Sequence, residues 1–361
     1  MWKDTTMPDI PTVDITMLGP SRSGKTVFLH AMYATLAAGV DGYYLLTVDP
    51  DIGLDLMDAW EDMTQGVKTP EPSDDRPITY EFHFKEGFDR LARIVLQDFR
   101  GGALRARQHE NDARPLRDRL AVSQSIYIVL DGEDLATWLG RPEGTPPDRI
   151  LELQRIHEHL QRAVDDRRAH DDTALPSFVI LITKMDLLDD IPGMDRRTAL
   201  RRIPGLLREP LSTLFGPGVT TLICPVTVGE LGTRADPQLH EGAVRPQGVD
   251  RPLAFSLRSL HDQALLHQGR ELRDAEDDHL TRSTRLDEAR KGFFRRLWNA
   301  EEIGVQQRKL DAAGTDLDGR RRAYQEFVSL ADRLRARVGN LPVIRDGVVT
   351  RYLAGDRIEG P

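Results

Sequence analysis

The sequence predicts a doubly wound α/β domain with a mostly parallel sheet over residues 1–267. A helical hairpin over 268–340 and an irregular tail over 341–361 are expected to follow. Three observations point to this. Short runs of β-branched and aromatic residues alternate with helical patterns through the first part of the chain, the order that places helices on both faces of a parallel sheet. The later runs are continuously apolar, as strands covered on both faces are. Beyond about residue 268 the strand signals stop.

The expected strands are 12–18 (TVDITML), 78–85 (ITYEFHFK), 91–97 (LARIVLQ), 124–130 (QSIYIVL), 177–183 (SFVILIT) and 219–224 (VTTLIC). In 78–85, Ile78, Tyr80, Phe82 and Phe84 alternate with polar neighbours, the pattern of a half-exposed edge strand. Helical patterns fall at 25–38, 52–65, 102–119, 148–169, 195–208 and 251–267. The stretch 229–252, with its prolines and glycines, reads as a long surface loop. In the hairpin, Tyr324, Phe327, Leu330 and Leu334 repeat at helical spacing, and Gly314 to Gly319 offers a turn.

Composition narrows the function classes. A chain of 361 residues with 39% hydrophobic residues can bury a core without staples, so disorder of the whole is excluded. The single cysteine, Cys224, excludes a disulfide framework and a Cys-rich zinc site, and in an apolar strand it reads as a small buried hydrophobe. A net charge of −9 argues against nucleic acid as a partner. The first residues, MWKDTTMPDI, lack a basic region followed by an apolar one, so no signal peptide is expected. Runs such as IYIVL fall far short of the roughly 20 apolar residues of a membrane helix. A soluble, cytoplasmic protein is expected.

Three motifs carry chemistry. Gly19-Pro-Ser21-Arg22-Ser23-Gly24-Lys25-Thr26 lies between a strand and a helix and fits G-x-x-x-x-G-K-[ST]. Its glycines let successive amides face one point, and the helix N-terminus adds a positive end, so the loop can cradle phosphate. Lys25 would reach the β- and γ-phosphates, and the Thr26 hydroxyl would ligate Mg²⁺. Asp98-Phe-Arg100-Gly101 follows the apolar run 91–97, where Asp98 can hold the magnesium through water and Gly101 leaves room for its amide to approach a γ-phosphate. Thr183-Lys184-Met185-Asp186 ends the run 177–182; Asp186 can accept from guanine's ring N–H and amine, and the Lys184 stem can lie flat on the base. Two of only seven lysines fall in these motifs.

With these motifs in this order, residues 12–265 resemble the P-loop GTPases of the Ras-like, translation-factor-related (TRAFAC) class. GPSRSGKT resembles the first motif of that class, DFRG the third and TKMD the fourth. The long insert between Lys25 and Asp98, and the segment DFRGGAL, are most similar to bacterial double-GTPase-type proteins. The resemblance implies GTP/GDP and Mg²⁺ as ligands, and slow GTP hydrolysis in a nucleotide-dependent switch. A non-hydrolysing nucleotide-binding scaffold and an ATPase are the alternatives. It also implies a threonine before the edge strand that senses magnesium and γ-phosphate; Thr69 is the first choice and Thr79 the second. The fifth motif would fall in Cys224-Pro-Val-Thr227, which departs from the usual Ser-Ala-Lys.

Relatives with fast hydrolysis often carry a water-orienting glutamine after the third motif's glycine, where this chain has Gly102. Slow turnover is therefore expected, with Arg22 and Arg100 as candidate cationic groups for the transferring phosphoryl and surface ion pairing as the alternative for each. The stretch 290–298 mixes cations with Phe293, Phe294 and Trp298. It suits contact with a protein effector or activator or peripheral contact with an anionic membrane; packing of the hairpin on its own domain is the alternative. Self-association into a homo-oligomer is a further expected partner class.

Overall fold

In the computed structural model, the described residues are 10–70, 77–99, 113–142, 144–147, 150–169, 174–189, 191–233, 235–263, 329–330 and 332–352. The first half runs β1 (Thr12–Leu18), α1 (Lys25–Ala37), β2 (Tyr43–Thr47), α2 (Pro50–Thr64), β3 (Ile78–Glu86), β4 (Asp89–Asp98) and α3 (Ala113–Val122). It continues with β5 (Ser125–Asp131), α4 (Gly132–Leu139), α5 (Ile150–Arg168), β6 (Ser177–Thr183), α6 (Arg196–Leu207) and β7 (Thr220–Pro225). Then come β8 (Thr227–Gly229), β9 (Val244–Gln247), α7 over residues 251–263, β10 (Pro342–Arg345) and β11 (Val348–Arg351).

Nine strands form one sheet in the order β11-β10-β7-β6-β5-β1-β4-β3-β2, and β8 and β9 pair separately. The centre is parallel: β1 pairs with β4 and β5, and β6 with β5 and β7. The flanks, β2-β3-β4 and β7-β10-β11, are antiparallel. This is the doubly wound, mostly parallel α/β architecture expected of a Ras-like P-loop GTPase domain. Every residue of β5 and β6 is buried, as their unbroken apolar sequences require of strands covered on both faces. The hydroxyls that do enter this core are paired: Ser256 on α7 meets both Ser125 (2.8 Å) and Tyr127 (2.9 Å). Cys224 is buried in β7.

Several sequence expectations need correction. The tail read as irregular contains β10 and β11, joined by Asp346 and Gly347 with φ of 49° and 76°. An Asp-Gly pair in the left-handed region forms the two-residue hairpin turn whose twist matches its strands. The stretch read as a long loop holds β8's last residue and all of β9. The helix expected over 102–119 is described as α3 from Ala113; residues 100–112 lie outside the described residues. β2 and α4 were not expected at all. The contact pattern divides the chain into Met1–Ser256 with Val338–Pro361, and Leu257–Arg337. In the second unit Arg258 pairs with Asp262; of the hairpin expected over 268–340, residues 268–328 and 331 lie outside the described residues.

Candidate nucleotide site

The carboxyl ends of β1, β4, β5 and β6 open on one side of the sheet, the place where ligands bind in such folds. The loop after β1 is shaped by two left-handed residues, Arg22 (φ 64°) and Gly24 (φ 83°), and by Ser23 N–H donating to the Pro20 carbonyl (3.3 Å). Such a run turns successive amides inward. Gly24 has no substitute here: beyond its positive φ, a Cβ would press on the Thr183 side chain at 3.2 Å. The first turn of α1 carries no acidic residue and its N-cap has no side-chain hydrogen bond, an arrangement suited to an anion. The Lys25 ammonium folds back over the loop and donates to the Gly19 and Pro20 carbonyls, both at 3.0 Å.

On one flank of the loop lies Asp98, buried at the end of β4 beside Met17 of β1. Its charge, after burial itself, pushes the Tyr80 phenol up to about 12. Thr26, Thr69 and Asp98 border the same cleft. Thr79 does not join them; it sits in β3, where its hydroxyl accepts from the Gln97 amide at 3.0 Å. Two hydroxyls and one carboxylate suit Mg²⁺, which takes few protein oxygens and keeps several waters. Arg100 and Gly101, together with Gly102, lie outside the described residues.

The other flank would take a base. The Thr183 hydroxyl donates to the Ser23 carbonyl (2.8 Å), tying the end of β6 to the phosphate loop. Lys184, in the left-handed region, directs its ammonium to Asp131 (2.9 Å) and Glu133 (3.4 Å), which holds its stem along the cleft. The Asp131 carboxylate also caps α4 by accepting from Glu133 N–H (2.9 Å), so one buried group anchors both helix and lysine. Asp186 lies in a short 3₁₀ turn, Met185–Leu188. Burial pushes its carboxyl above the ordinary value, and the Thr227 hydroxyl, donating to Oδ1 at 3.1 Å, opposes that rise. Sequence reasoning missed Asp131 and undervalued Thr227. Asp131 ends an apolar strand just before Gly-Glu, and Thr227 ends the segment that departs from Ser-Ala-Lys.

Removing the Thr227 hydroxyl withdraws a donor from the ionised Asp186 and raises its pKa further. A guanine base would pair with the ionised form, so its binding would be complete above that pKa and fall as pH drops through it. Thr227→Val should weaken GDP binding about tenfold at neutral pH. The ratio of variant to unaltered Kd should grow between pH 7.5 and pH 5, and calorimetry at the two pH values measures it. A flat ratio would mean the hydroxyl does not act through Asp186.

Residues Ser21 to Thr26, Thr69, Asp98, Thr183, Lys184 and Asp186 all line one cavity of about 770 Å³, within the roughly 300–1,000 Å³ of small-molecule sites. No protein-family model matches the chain, and no curated protein matches it. Among solved structures, it is similar to the S. cerevisiae Ski7 GTPase-like domain bound to GDP and inorganic phosphate. Identity is 13%, coverage 65% of this chain and 47% of that one, and the TM-score 0.35. The GTP-bound form of that domain gives 12%, 65%, 48% and 0.33. The signal recognition particle receptor SRb-GTP/SRX complex from Chaetomium thermophilum gives 16%, 56%, 81% and 0.32. The chain spans about half the length of the Ski7 structures it matches.

Proposed function

We propose that the chain is a GTP-binding protein that hydrolyses GTP slowly with Mg²⁺ and acts as a nucleotide-dependent switch of the TRAFAC class, most similar to bacterial double-GTPase-type proteins. One observation carries this: phosphate-loop residues 21–26, Asp98 and Asp186, which accepts from Thr227, border one cavity at the carboxyl edge of the parallel strands. Lys25 and the loop amides would neutralise the phosphates, and Asp186 would select guanine. Thr26, Thr69 and Asp98 would hold Mg²⁺, which when bound offsets the charge that develops on the phosphoryl oxygens. Attack by water is in line. Gly102 has no side chain to orient that water, so unaided turnover is slow and a protein activator or self-association would raise it.

Besides Lys25, Arg22 is a described cation in the phosphate loop itself. Holding a non-glycine residue in the left-handed region costs about 1–3 kcal/mol, a strain that clusters at functional sites. It lines the cavity, and its guanidinium would stabilise the transferring phosphoryl, with Arg100 as the other candidate. Phosphate release by the chain alone should run below about 10⁻² s⁻¹. Arg22→Ala should lower it further at unchanged GDP affinity. Unaided turnover of about 1–100 s⁻¹ would show that another group orients water. Gly102 favours the alternative of a non-hydrolysing scaffold, and retention of intact GTP over many hours would establish that instead. The effector or membrane contact would fall to Phe293, Phe294 and Trp298, which lie outside the described residues, and the protein would act in the cytoplasm.

A further inference from the structure

Between β7 and α7 the chain makes a detour through β8 and β9, and this detour reaches both ends of the cleft. At one end Val228, Leu231, Thr233 and Pro237 line the cavity together with Lys184 and Asp186. The turn that presents them is fastened: Gly232 bridges to Pro237, Thr233 N–H donates to the Asp236 carbonyl (3.1 Å), and Gln238 N–H to the Leu231 carbonyl (2.9 Å). At the other end, the backbone of His240 and Glu241 lies directly against Gly66, three residues before Thr69. A Cβ on Gly66 would stand 2.7 Å from Glu241 N and 2.7 Å from His240 C, and its φ is +76°. Only glycine admits so close an approach of two backbones.

We propose that residues 231–233 with Pro237 form a nucleotide clasp: an apolar wall for the base and ribose that is joined, through the Gly66 contact, to the segment carrying Thr69. This deepens the proposed function and rests on it. Val228, Leu231 and Pro237 bring apolar surface to a cleft whose remaining groups are largely polar, and a purine face or ribose edge is the part of a nucleotide that such surface takes up. Leu231 is half-buried, so a bound nucleoside would cover more of its apolar surface. Because the clasp and the Thr69 segment share a backbone contact, a change at the γ-phosphate end alters how firmly the base end is held.

The test uses the full chain and tritiated GDP, with release followed by filter binding. Leu231→Ala should speed release about tenfold or more, while the preference for GTP over ATP, which Asp186 sets, stays unchanged. Release within about twofold of the unaltered chain would overturn the clasp. Loss of the base preference would also overturn it, by showing a general disturbance of the site. In the unaltered chain, hydrogen exchange of amides 231–243 should differ between the GDP and GTPγS complexes. Identical protection would overturn the link to Thr69. Failure of the unaltered chain to bind any guanine nucleotide would instead overturn the proposed function, and the clasp with it.

Discussion

Lys25→Ala should weaken GTP binding by roughly 30- to 5,000-fold while leaving the protein folded. Lys25 is only 8% exposed, and its ammonium stands over the phosphate loop, 3.0 Å from the Gly19 and Pro20 carbonyls. Those two bonds hold it where phosphates would lie, so its charge is already organised before ligand arrives. Truncating one partner of a buried charged contact costs about 2–5 kcal/mol of binding, roughly 30- to 5,000-fold in Kd. The cost to folding is two bonds to backbone carbonyls, about 1 kcal/mol each. Calorimetry with GTP, beside a thermal scan, separates the two effects. Unchanged affinity would remove the phosphate-loop assignment.

Asp186→Asn should exchange one base for another. In the proposed function the carboxylate would accept two hydrogen bonds from guanine's donor edge, which adenine lacks. A buried acceptor rejects a base without the matching donors because it is left desolvated and unpaired. Asn turns one acceptor into a donor that faces guanine's amine; xanthine carries a carbonyl oxygen there and accepts from it. The Thr227 hydroxyl can still donate to the Asn carbonyl, so the local hydrogen bond at 3.1 Å has a replacement and the fold should hold. GTP affinity should fall by about two orders of magnitude and xanthosine triphosphate affinity rise. Competition binding on both proteins measures the exchange, and no shift toward xanthosine triphosphate would make Thr183–Asp186 only a strand end.

Much of the fold was legible because its strands are locally specified. The runs 12–18 and 177–183 coincide with β1 and β6, each an apolar stretch bounded by residues that end it. α4 was not, since Asp131 caps it directly from β5 and leaves no loop to signal a boundary. β10 was missed because its partner β7 lies more than a hundred residues earlier, and no local pattern reports such a pairing. In the site, the phosphate loop, Asp98 and Asp186 were readable from spacing. Thr69 was preferred to Thr79 in the sequence, and the structure puts Thr69 on the cleft and Thr79 in the sheet. The Lys184–Asp131 pair and the approach of Gly66 to Glu241 depend on segments 53 and more than 170 residues apart in the chain.

The claim that joins these parts is that the cavity is built for a guanine nucleotide. Competition of unlabelled GTP and ATP against tritiated GDP on the unaltered chain tests it most directly. GTP should displace the label at concentrations at least about a hundredfold lower than ATP. Equal displacement by ATP, or none by GTP, would contradict it.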